Sequence, residues 1–297
     1  MKRNMRPHWI LAAVLVTAAG LTTAHSARPP LRDTAGTEAV SPPNDHCTVI
    51  MVGKDASTDG STMATHAADC GTCDWTWRKV PAADHKPGEM RKLYRISQTR
   101  AWPPREGSKW DLIQKDPTGV EIPQPAHTFG YMHGVFGYMN DQQLAMGEST
   151  IGNARKLDNP TPGAKTNISM LTLLAMERCR TAREAVRFMG GLAETYGYGD
   201  VDGGEMLAVA DPREVWIFEI MSVGPLWTPA SGKPGAVWCA QRVPDGEVSV
   251  CPNESRIGEI DLGNAEFFLA SPNVVACAVE NKLFDPAAGK PFNFKRA

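Results

Sequence analysis

Residues 47–69, CTVIMVGKDASTDGSTMATHAAD, decide the fold of this 297-residue chain. The run CTVIMVG, residues 47–53, is β-prone, and the polar segment KDASTDG, residues 54–60, follows it directly. Residues 62–68 can then return as a second strand, because a polar turn between two β-prone runs is typical of a hairpin. The sequence therefore predicts that the folded domain begins abruptly at residue 47 with a hairpin.

The residues before this hairpin have the composition of a targeting signal and a linker. A basic start with Lys2, Arg3 and Arg6 precedes an apolar run over residues 9–21 and a small-residue exit that ends at 27. This pattern is typical of a secretory signal, and the run is shorter than the ~20 residues that a membrane-spanning helix needs. Residues 28–46 are rich in proline, charge and small side chains, which indicates a pro-segment or linker. We therefore expect an exported protein, periplasmic or extracellular; a retained N-terminal anchor is the alternative.

Composition and charge restrict the class of partner. The chain is 42% hydrophobic and 22% charged, with a formal net charge of -2. These values are ordinary for a globular protein and lack the positive excess that nucleic acid or an anionic membrane surface would favour. We expect a small-molecule partner, no nucleic acid and no stable membrane span after signal removal, and the sequence leaves a homo-oligomer open.

The seven cysteines are an odd number. In an oxidising compartment one reactive thiol and up to three disulfides is the simplest arrangement. Cys70 and Cys73 form a Cys-x-x-Cys pair that is compatible with a local disulfide, two plain thiols or a metal site. Zinc needs further ligands at suitable spacing, and no second Cys-x-x-Cys or histidine pair supplies them. No metal and no organic cofactor is predicted.

The rest of the chain predicts an α+β fold. Residues 74–125 lack clear periodicity and are interpreted as a functional loop region. A helical apolar stripe over residues 169–196 is broken near Arg180, where Thr181-x-x-Glu184 is a capping box. Strands before and after this helical pair favour α+β over a parallel βαβ sheet. Three strand pairs are expected, over residues 135–139 and 143–147, 206–210 and 215–220, and 236–242 and 247–251.

Cys47 would combine two reactive groups if the segment before it were removed. A free α-amino group has a pKa of roughly 7.7–8.0, so it can take the thiol proton and return it to a leaving amine. A free cysteine titrates near ~8.5 and therefore needs less activation than a serine. A buried or disulfide-bonded cysteine is the alternative. The position therefore suggests a thiol hydrolase whose nucleophile and base are one residue.

From Cys47 onward the sequence resembles the dipeptidase A-like thiol peptidases, which are N-terminal-nucleophile hydrolases related to secernins, bile salt hydrolases and penicillin V acylases. After the hairpin the resemblance continues in family order through PAHTFGYMHGVFGYMNDQQLAMGESTIG (125–152), ERCRTAREAVRFMGGLAETYGYG (177–199), MLAVADPREVWIFEI (206–220), VWCAQRVPDGEVSVCPNESRIGEIDL (237–262) and FDPAAGKPFNF (284–294). It implies one domain over residues 47–297 with a four-layer αββα sandwich. Fuller family members continue past the last of these stretches, so the domain is expected to be shortened at its C-terminal end.

The resemblance also implies roles for three catalytic residues. Cys47 matches the nucleophile, with its own amine as the base. Asp69 matches the aspartate that orients this amine, and a carboxylate there would raise the amine pKa. Asn253 matches the asparagine whose amide donates to the oxyanion of the tetrahedral intermediate. A strand-end aspartate and a turn-forming asparagine are the structural alternatives.

Five further residues are candidates for substrate binding. Glu148, Ser149 and Thr150 match the family's GET-like segment at the cleft, where a carboxylate or hydroxyl could hold the charged ends of a dipeptide. Arg242 could pair with a substrate carboxylate or merely with Asp245. Acylase-type relatives carry an arginine three residues before the aspartate, and this chain has His66 there, so His66 either substitutes for that arginine or the site uses another partner.

The hypothesis that follows is hydrolysis of dipeptides through a thioester acyl-enzyme. Maturation would require cleavage of the bond between His46 and Cys47, by self-processing or by another protease. Two alternatives remain open at this point. One is an amide acylase that acts on N-acyl compounds, and the other is an inactive truncated relative that at most binds peptides.

Overall fold

The computed structural model of the chain describes residues 46–69, 77–96, 116–134, 137–157, 161, 163–199 and 203–297. These residues form a four-stranded and an eight-stranded antiparallel sheet, two small two-stranded sheets and three α-helices. The predicted signal over residues 1–27, residues 28–45 of the predicted linker and the Cys70-x-x-Cys73 pair lie outside the described residues. None of the described helices is long and apolar enough to cross a membrane.

The described residues form sixteen β-strands and three α-helices, and the two long helices follow the eleventh strand in the chain. In chain order they are β1 (His46–Val52), β2 (Met63–Ala64), β3 (Ala67–Asp69), β4 (Arg78–Val80), β5 (Ala83–Asp84), β6 (Met90–Arg95), β7 (Asp116–Pro123), β8 (His127–Thr128), β9 (Tyr131–His133), β10 (Gly137–Asn140), β11 (Ala145–Ile151), α1 (Ile168–Arg178), α2 (Ala182–Tyr196), β12 (Gly204–Ala210), β13 (Val215–Met221), β14 (Val237–Arg242), β15 (Val248–Cys251), β16 (Phe268–Ala270) and α3 (Val274–Glu280).

The smaller sheet is built around β1. Its second half pairs with β15 on one side and β2 on the other, and its first half pairs with β3. The strands β2 and β3 return after the polar turn, so the predicted hairpin is confirmed. Val49 and Met51 are fully buried against the larger sheet, whereas Ile50 on the outer face is 39% exposed. The alternation of side chains along β1 therefore fixes which face packs inward.

The larger sheet has the strand order β16-β14-β13-β12-β11-β10-β9-β4. Both of its faces are apolar. In β13, Trp216 and Phe218 pack in the cluster that contains the two long helices, and Ile217 packs in the cluster that contains the smaller sheet. The predicted α+β class is confirmed, and the helical pair, the larger sheet and the smaller sheet form three layers of the implied αββα sandwich.

The two long helices cover one face of the larger sheet and are separated where the sequence predicts a break. The N-cap of α2 is Thr181, whose side chain accepts a hydrogen bond from the backbone of Glu184 at 3.2 Å. The carboxylate of Glu184 accepts from the backbone of Arg180 at 2.8 Å. These bonds satisfy N–H groups that have no partner within the helix, and the predicted helical pair is confirmed.

Two adjacent glycines of α2 are expected to respond in opposite ways to alanine. A Cβ at Gly190 would lie well inside van der Waals distance of the Trp238 indole, whereas a Cβ at Gly191 would meet nothing within 4 Å. Gly190→Ala is expected to destabilise the fold by about 1–3 kcal/mol through overpacking. Gly191→Ala is expected to stabilise it by about 0.5–1 kcal/mol, because alanine favours the helix. Urea denaturation measures both, and equal shifts would contradict this packing.

The prediction that β14 and β15 form a hairpin is wrong. In the structure β14 pairs with β13 and β16, and β15 pairs with β1 in the other sheet. The connecting loop bonds to the turn after β1: Gly53 donates to the carbonyl of Glu247 at 2.9 Å, and Asp55 donates to that of Asp245 at 2.8 Å. These bonds draw the loop to the end of β1, so the next strand continues along β1.

The interpretation of residues 74–125 as a loop region is wrong for the part that the structure describes. That part contains β4, β5, β6 and β7, and Leu93 and Ile122 are buried in the core. Most other positions of β6 and β7 are at least partly exposed, and a bulge interrupts their register between Lys92 and Tyr94. The periodicity is weak because few positions of each strand face the core.

The expectation of up to three disulfides is wrong for the four buried cysteines that the structure describes, which form none. Four of the seven cysteines, Cys179, Cys239, Cys251 and Cys277, are buried free thiols. Burial raises the pKa of each of these thiols, because the thiolate would lose its hydration. They behave as small apolar core residues rather than as cross-links.

Candidate active site

Cys47 is the second residue of β1, at the point where the strand changes partners. Val49 is still paired with Cys251 of β15, but Cys47 is paired with Ala68 of β3. The backbone pairing of β1 with β15 ends at Cys251, and the side chain of Asn253 makes the next contact with β1. Its Oδ1 accepts a hydrogen bond from the backbone nitrogen of Cys47 at 2.6 Å. The fold thus joins two residues that are 206 positions apart in the sequence.

Asn253 is held from several sides. Its φ of 57° lies in the left-handed region, which asparagine enters more readily than most residues. Its backbone N–H donates to Oγ of Ser149 at 3.0 Å, and its Nδ2 donates to the carbonyl oxygen of Thr150 at 2.8 Å. The amide plane is therefore fixed between β11 and the start of β1.

The three predicted residues of the GEST segment lie on two faces of β11. Oγ of Ser149 faces the loop that carries Asn253, and the residue is fully buried. Oγ1 of Thr150 donates to Oε1 of Glu148 at 3.0 Å, which places these two side chains together on the opposite face of the strand. Ser149 therefore contacts Asn253 through its side chain, whereas Thr150 contacts Asn253 through its backbone carbonyl.

Comparison with known families identifies the family of this chain. The model of peptidase family C69 matches residues 46–297. The chain belongs to this family. The predicted resemblance is therefore confirmed, and it covers every residue of the candidate site.

Relatives of this C69 chain carry dipeptidase names. It is 28% identical over 231 residues to the probable dipeptidase A of Streptococcus pyogenes serotype M3 (strain SSI-1), covering 77% of this chain and 44% of the relative. It is 28% identical over 260 residues to the probable dipeptidase of Salmonella dublin, covering 84% and 52%, respectively. The chain spans about half the length of the curated relatives it matches. Among solved structures, penicillin V acylase from Agrobacterium tumefaciens is similar at 14% identity and a TM-score of 0.30, covering 70% of this chain and 49% of that one.

The predicted orienting aspartate of the C69 chain lies at the end of β3. Asp69 is exposed, and its register partner across the strands is His46 rather than Cys47. Adjacent residues of a strand point to opposite faces, so Asp69 shares a face with His46. Its carboxylate therefore stands beside the residue that precedes the nucleophile.

His66 is tied to the larger sheet behind the site. Its Nδ1 lies 2.6 Å from the carbonyl oxygen of Glu148, which makes this nitrogen the donor. The segment that carries His66 can lie this close to β11 because residue 147 is glycine. A Cβ at Gly147 would lie 2.8 Å from the carbonyl oxygen of Thr65. Burial lowers the pKa of His66 below its ordinary value of 6.5, although the bond to Glu148 opposes this. At neutral pH the imidazole is neutral and cannot replace the charge of an arginine.

A pH dependence of stability follows from His66. Because the pKa of His66 is lower in the folded chain, the unfolded chain binds a proton at His66 at a higher pH than the folded chain does. His66 therefore lowers the free energy of unfolding as the pH decreases below about 6.5. His66→Asn keeps a donor for Glu148 and removes the titration. Urea denaturation is expected to show a larger stability loss for the wild type than for His66→Asn between pH 7 and pH 5. Parallel losses would contradict the buried, neutral imidazole.

Arg242 is engaged in an ion network at the end of β14. Its guanidinium lies 2.7 Å from a carboxylate oxygen of Asp245 and 3.1 Å from one of Glu266, and 3.9 Å from Glu214. Asp245 also pairs with Lys54 at 3.0 Å. Arg242 was considered as a partner for a substrate carboxylate or for Asp245, and in the structure it pairs with Asp245.

The sequence did not predict the role of one buried carboxylate, which bonds to the segment that follows Asn253. Glu219 is fully buried in β13, and its carboxylate accepts hydrogen bonds from the segment that follows Asn253. The available signal was a lone carboxylate within the apolar run VWIFEIM of Val215–Met221. In the part of the chain that the structure describes, no group of three or more His, Cys, Asp or Glu residues could hold a metal ion.

Proposed function

We propose that the mature protein hydrolyses dipeptides, with Cys47 as its first residue and its nucleophile. The observation that carries this proposal is the 2.6 Å hydrogen bond between the backbone nitrogen of Cys47 and Oδ1 of Asn253. It places a fixed polar group at the one backbone atom that would become the base. Membership in a peptidase family and relatives named dipeptidases support short peptides as the substrate.

Maturation in this proposal removes residues 1–46 during or after export. Cleavage of the His46–Cys47 bond converts the backbone nitrogen of Cys47 into an amine with an unperturbed pKa of roughly 7.7–8.0. Oδ1 of Asn253 then accepts one of the amine N–H groups and fixes the direction of its lone pair. Removal of His46 leaves the carboxylate of Asp69 as a neighbour of the new terminus, where it stabilises the protonated amine.

The first half of the reaction forms a thioester. The amine of Cys47 takes the thiol proton, and the thiolate attacks the peptide carbonyl carbon to form a tetrahedral oxyanion. The side-chain amide of asparagine has two N–H groups. Within the described residues, one N–H of Asn253 donates to the carbonyl oxygen of Thr150. The second N–H donates to the oxyanion. The C–N bond then breaks, and the protonated amine gives its proton to the departing amino acid.

The second half restores the enzyme. The free amine of Cys47 takes a proton from water, and the resulting hydroxide attacks the thioester carbonyl carbon. The C–S bond breaks, the thiolate recovers the proton from the amine, and the second amino acid leaves as a carboxylate with release of one proton. Both halves use the same residue as base and acid, so the mechanism requires no metal or organic cofactor.

A substrate panel tests the proposed activity. Protein whose first residue is Cys47 is incubated with dipeptides and, in parallel, with N-acyl amides, and the released amines are quantified. Release of both amino acids from dipeptides is the expected result. Exclusive cleavage of N-acyl amides would identify an acylase instead, and no cleavage in either panel would identify an inactive relative.

A further inference from the structure

Glu219 is a carboxylate in the apolar interior between the two sheets. Its residue is 0% exposed, and it lies directly across from the buried thiol of Cys239 on β14. Ile217 and Met221, which share its face of β13, pack in the apolar cluster that includes Val49 of β1. A charged group in such a place is expensive unless hydrogen bonds replace its lost water.

The hydrogen bonds of the Glu219 carboxylate go to residues 255–257 of one short segment. Oε2 of Glu219 accepts from Oγ of Ser255 at 2.6 Å. Oε1 accepts from the backbone nitrogens of Arg256 and of Ile257, the latter at 3.3 Å. The segment begins two residues earlier at Asn253, so the carboxylate holds the chain just after the candidate oxyanion donor.

Lys295 supplies a positive charge near this carboxylate. Burial raises the pKa of Glu219, and the three hydrogen bonds and Lys295 oppose the rise. The ammonium of Lys295 itself bonds to Glu254 at 2.6 Å, within the same segment. The thiol of Cys251, the last residue of β15, donates to the carbonyl oxygen of Glu254 at 3.1 Å. A hydrophobic side chain would fill the space beside the segment but could not accept its N–H groups.

We propose that Glu219 is a positioning residue that holds the amide of Asn253 in place for the oxyanion of the reaction. This inference rests on the proposed function. Asn253 is bound to β11 by Ser149 and Thr150 on one side, and the bonds from Glu219 fix the segment on the other. Without the carboxylate the segment after Asn253 loses its bonds from Ser255, Arg256 and Ile257, and the distance between Nδ2 of Asn253 and the carbonyl that Cys47 attacks becomes less well defined.

Four variants separate positioning from general stability. Glu219→Leu removes the acceptors, and Glu219→Gln keeps an acceptor for the two backbone N–H groups while the hydroxyl of Ser255 can rotate to accept. Glu177→Leu is the matched control, because Glu177 is also a buried carboxylate, bonded to Arg91 at 2.8 Å, and it packs on the helical side of the larger sheet. Ser255→Ala removes a single donor and serves if Glu219→Leu does not fold.

The expected kinetic signature is a loss in kcat with little change in KM. Glu219→Leu is expected to lower kcat about 10- to 100-fold. This range corresponds to the loss of hydrogen bonds from the segment to a charged carboxylate. Glu219→Gln should recover most of this loss, and Ser255→Ala should lower kcat about threefold to tenfold. Glu177→Leu should lower stability with kcat within about twofold of the wild type. Equal kcat losses in Glu219→Leu and Glu177→Leu would overturn the proposal.

Hydrogen exchange supplies a readout that does not depend on activity. The amides of Arg256 and Ile257 are expected to exchange about 10-fold faster or more in Glu219→Leu, and at wild-type rates in Glu177→Leu. Unchanged exchange in Glu219→Leu would overturn the proposal, as would faster exchange without a kcat loss. If the wild type fails to cleave dipeptides, the proposed function is rejected, and the exchange rates still decide whether Glu219 holds the segment.

Discussion

Replacing Cys47 with alanine is expected to abolish dipeptide hydrolysis, with a loss in kcat of about 10³-fold or more. No other group can form the thioester, because the thiol and its base belong to the same residue. The side chain is only half-buried at the start of β1. The free energy of unfolding should therefore change by less than about 1 kcal/mol. Steady-state kinetics and urea denaturation of the same preparation measure both quantities.

A second cysteine provides the control for this variant. Cys277 lies in α3 and is a buried free thiol. Cys277→Ala is expected to lower stability by about 1 kcal/mol through lost packing and to leave kcat unchanged. Full activity in Cys47→Ala would show that the nucleophile lies elsewhere. A comparable activity loss in Cys277→Ala would show that the assay reports folding rather than chemistry.

The second large effect is expected at Asn253. Asn253→Gly removes the amide without strain, because glycine accepts the left-handed backbone at a φ of 57°. Loss of one oxyanion donor lowers kcat by about 10²- to 10³-fold. The loss here should reach the upper end, since the variant also loses the contact that orients the amine of Cys47.

A matched backbone control is available outside the site. Lys282 has a φ of 56° in the turn after α3, so Lys282→Gly makes the same backbone change without touching the site. It should keep wild-type kcat and KM. Wild-type kcat in Asn253→Gly would exclude the asparagine amide as an oxyanion donor, and equal losses in the two variants would assign the effect to the backbone.

The local features of this fold were accessible from the sequence because short-range patterns encode them. The hairpin that opens with β1 follows from two β-prone runs around a polar turn. The break between α1 and α2 follows from the pair Thr181 and Glu184, whose spacing places the cap. Interactions between neighbours in the chain decide both features, so no knowledge of distant partners was needed.

The non-local features could not be predicted in the same way. The sequence placed β15 next to β14 across a short turn, but bonds between that turn and residues 53–55 carry β15 into the smaller sheet. Strand alternation shows that Ser149 and Glu148 point to opposite faces, yet only the packing of the sheets shows that Ser149 meets Asn253. The role of Glu219 likewise depends on a segment 36 to 38 positions away.

The identity of the first residue in active protein tests the central claim most directly. Protein purified in active form is analysed by N-terminal sequencing and intact mass, and the same fraction is assayed for dipeptide hydrolysis. We predict that the active chains begin at Cys47 and that chains still carrying His46 hydrolyse nothing. Dipeptide hydrolysis by protein in which residue 47 remains joined to residue 46 would contradict the account, because its nitrogen would then be an amide that cannot act as a base.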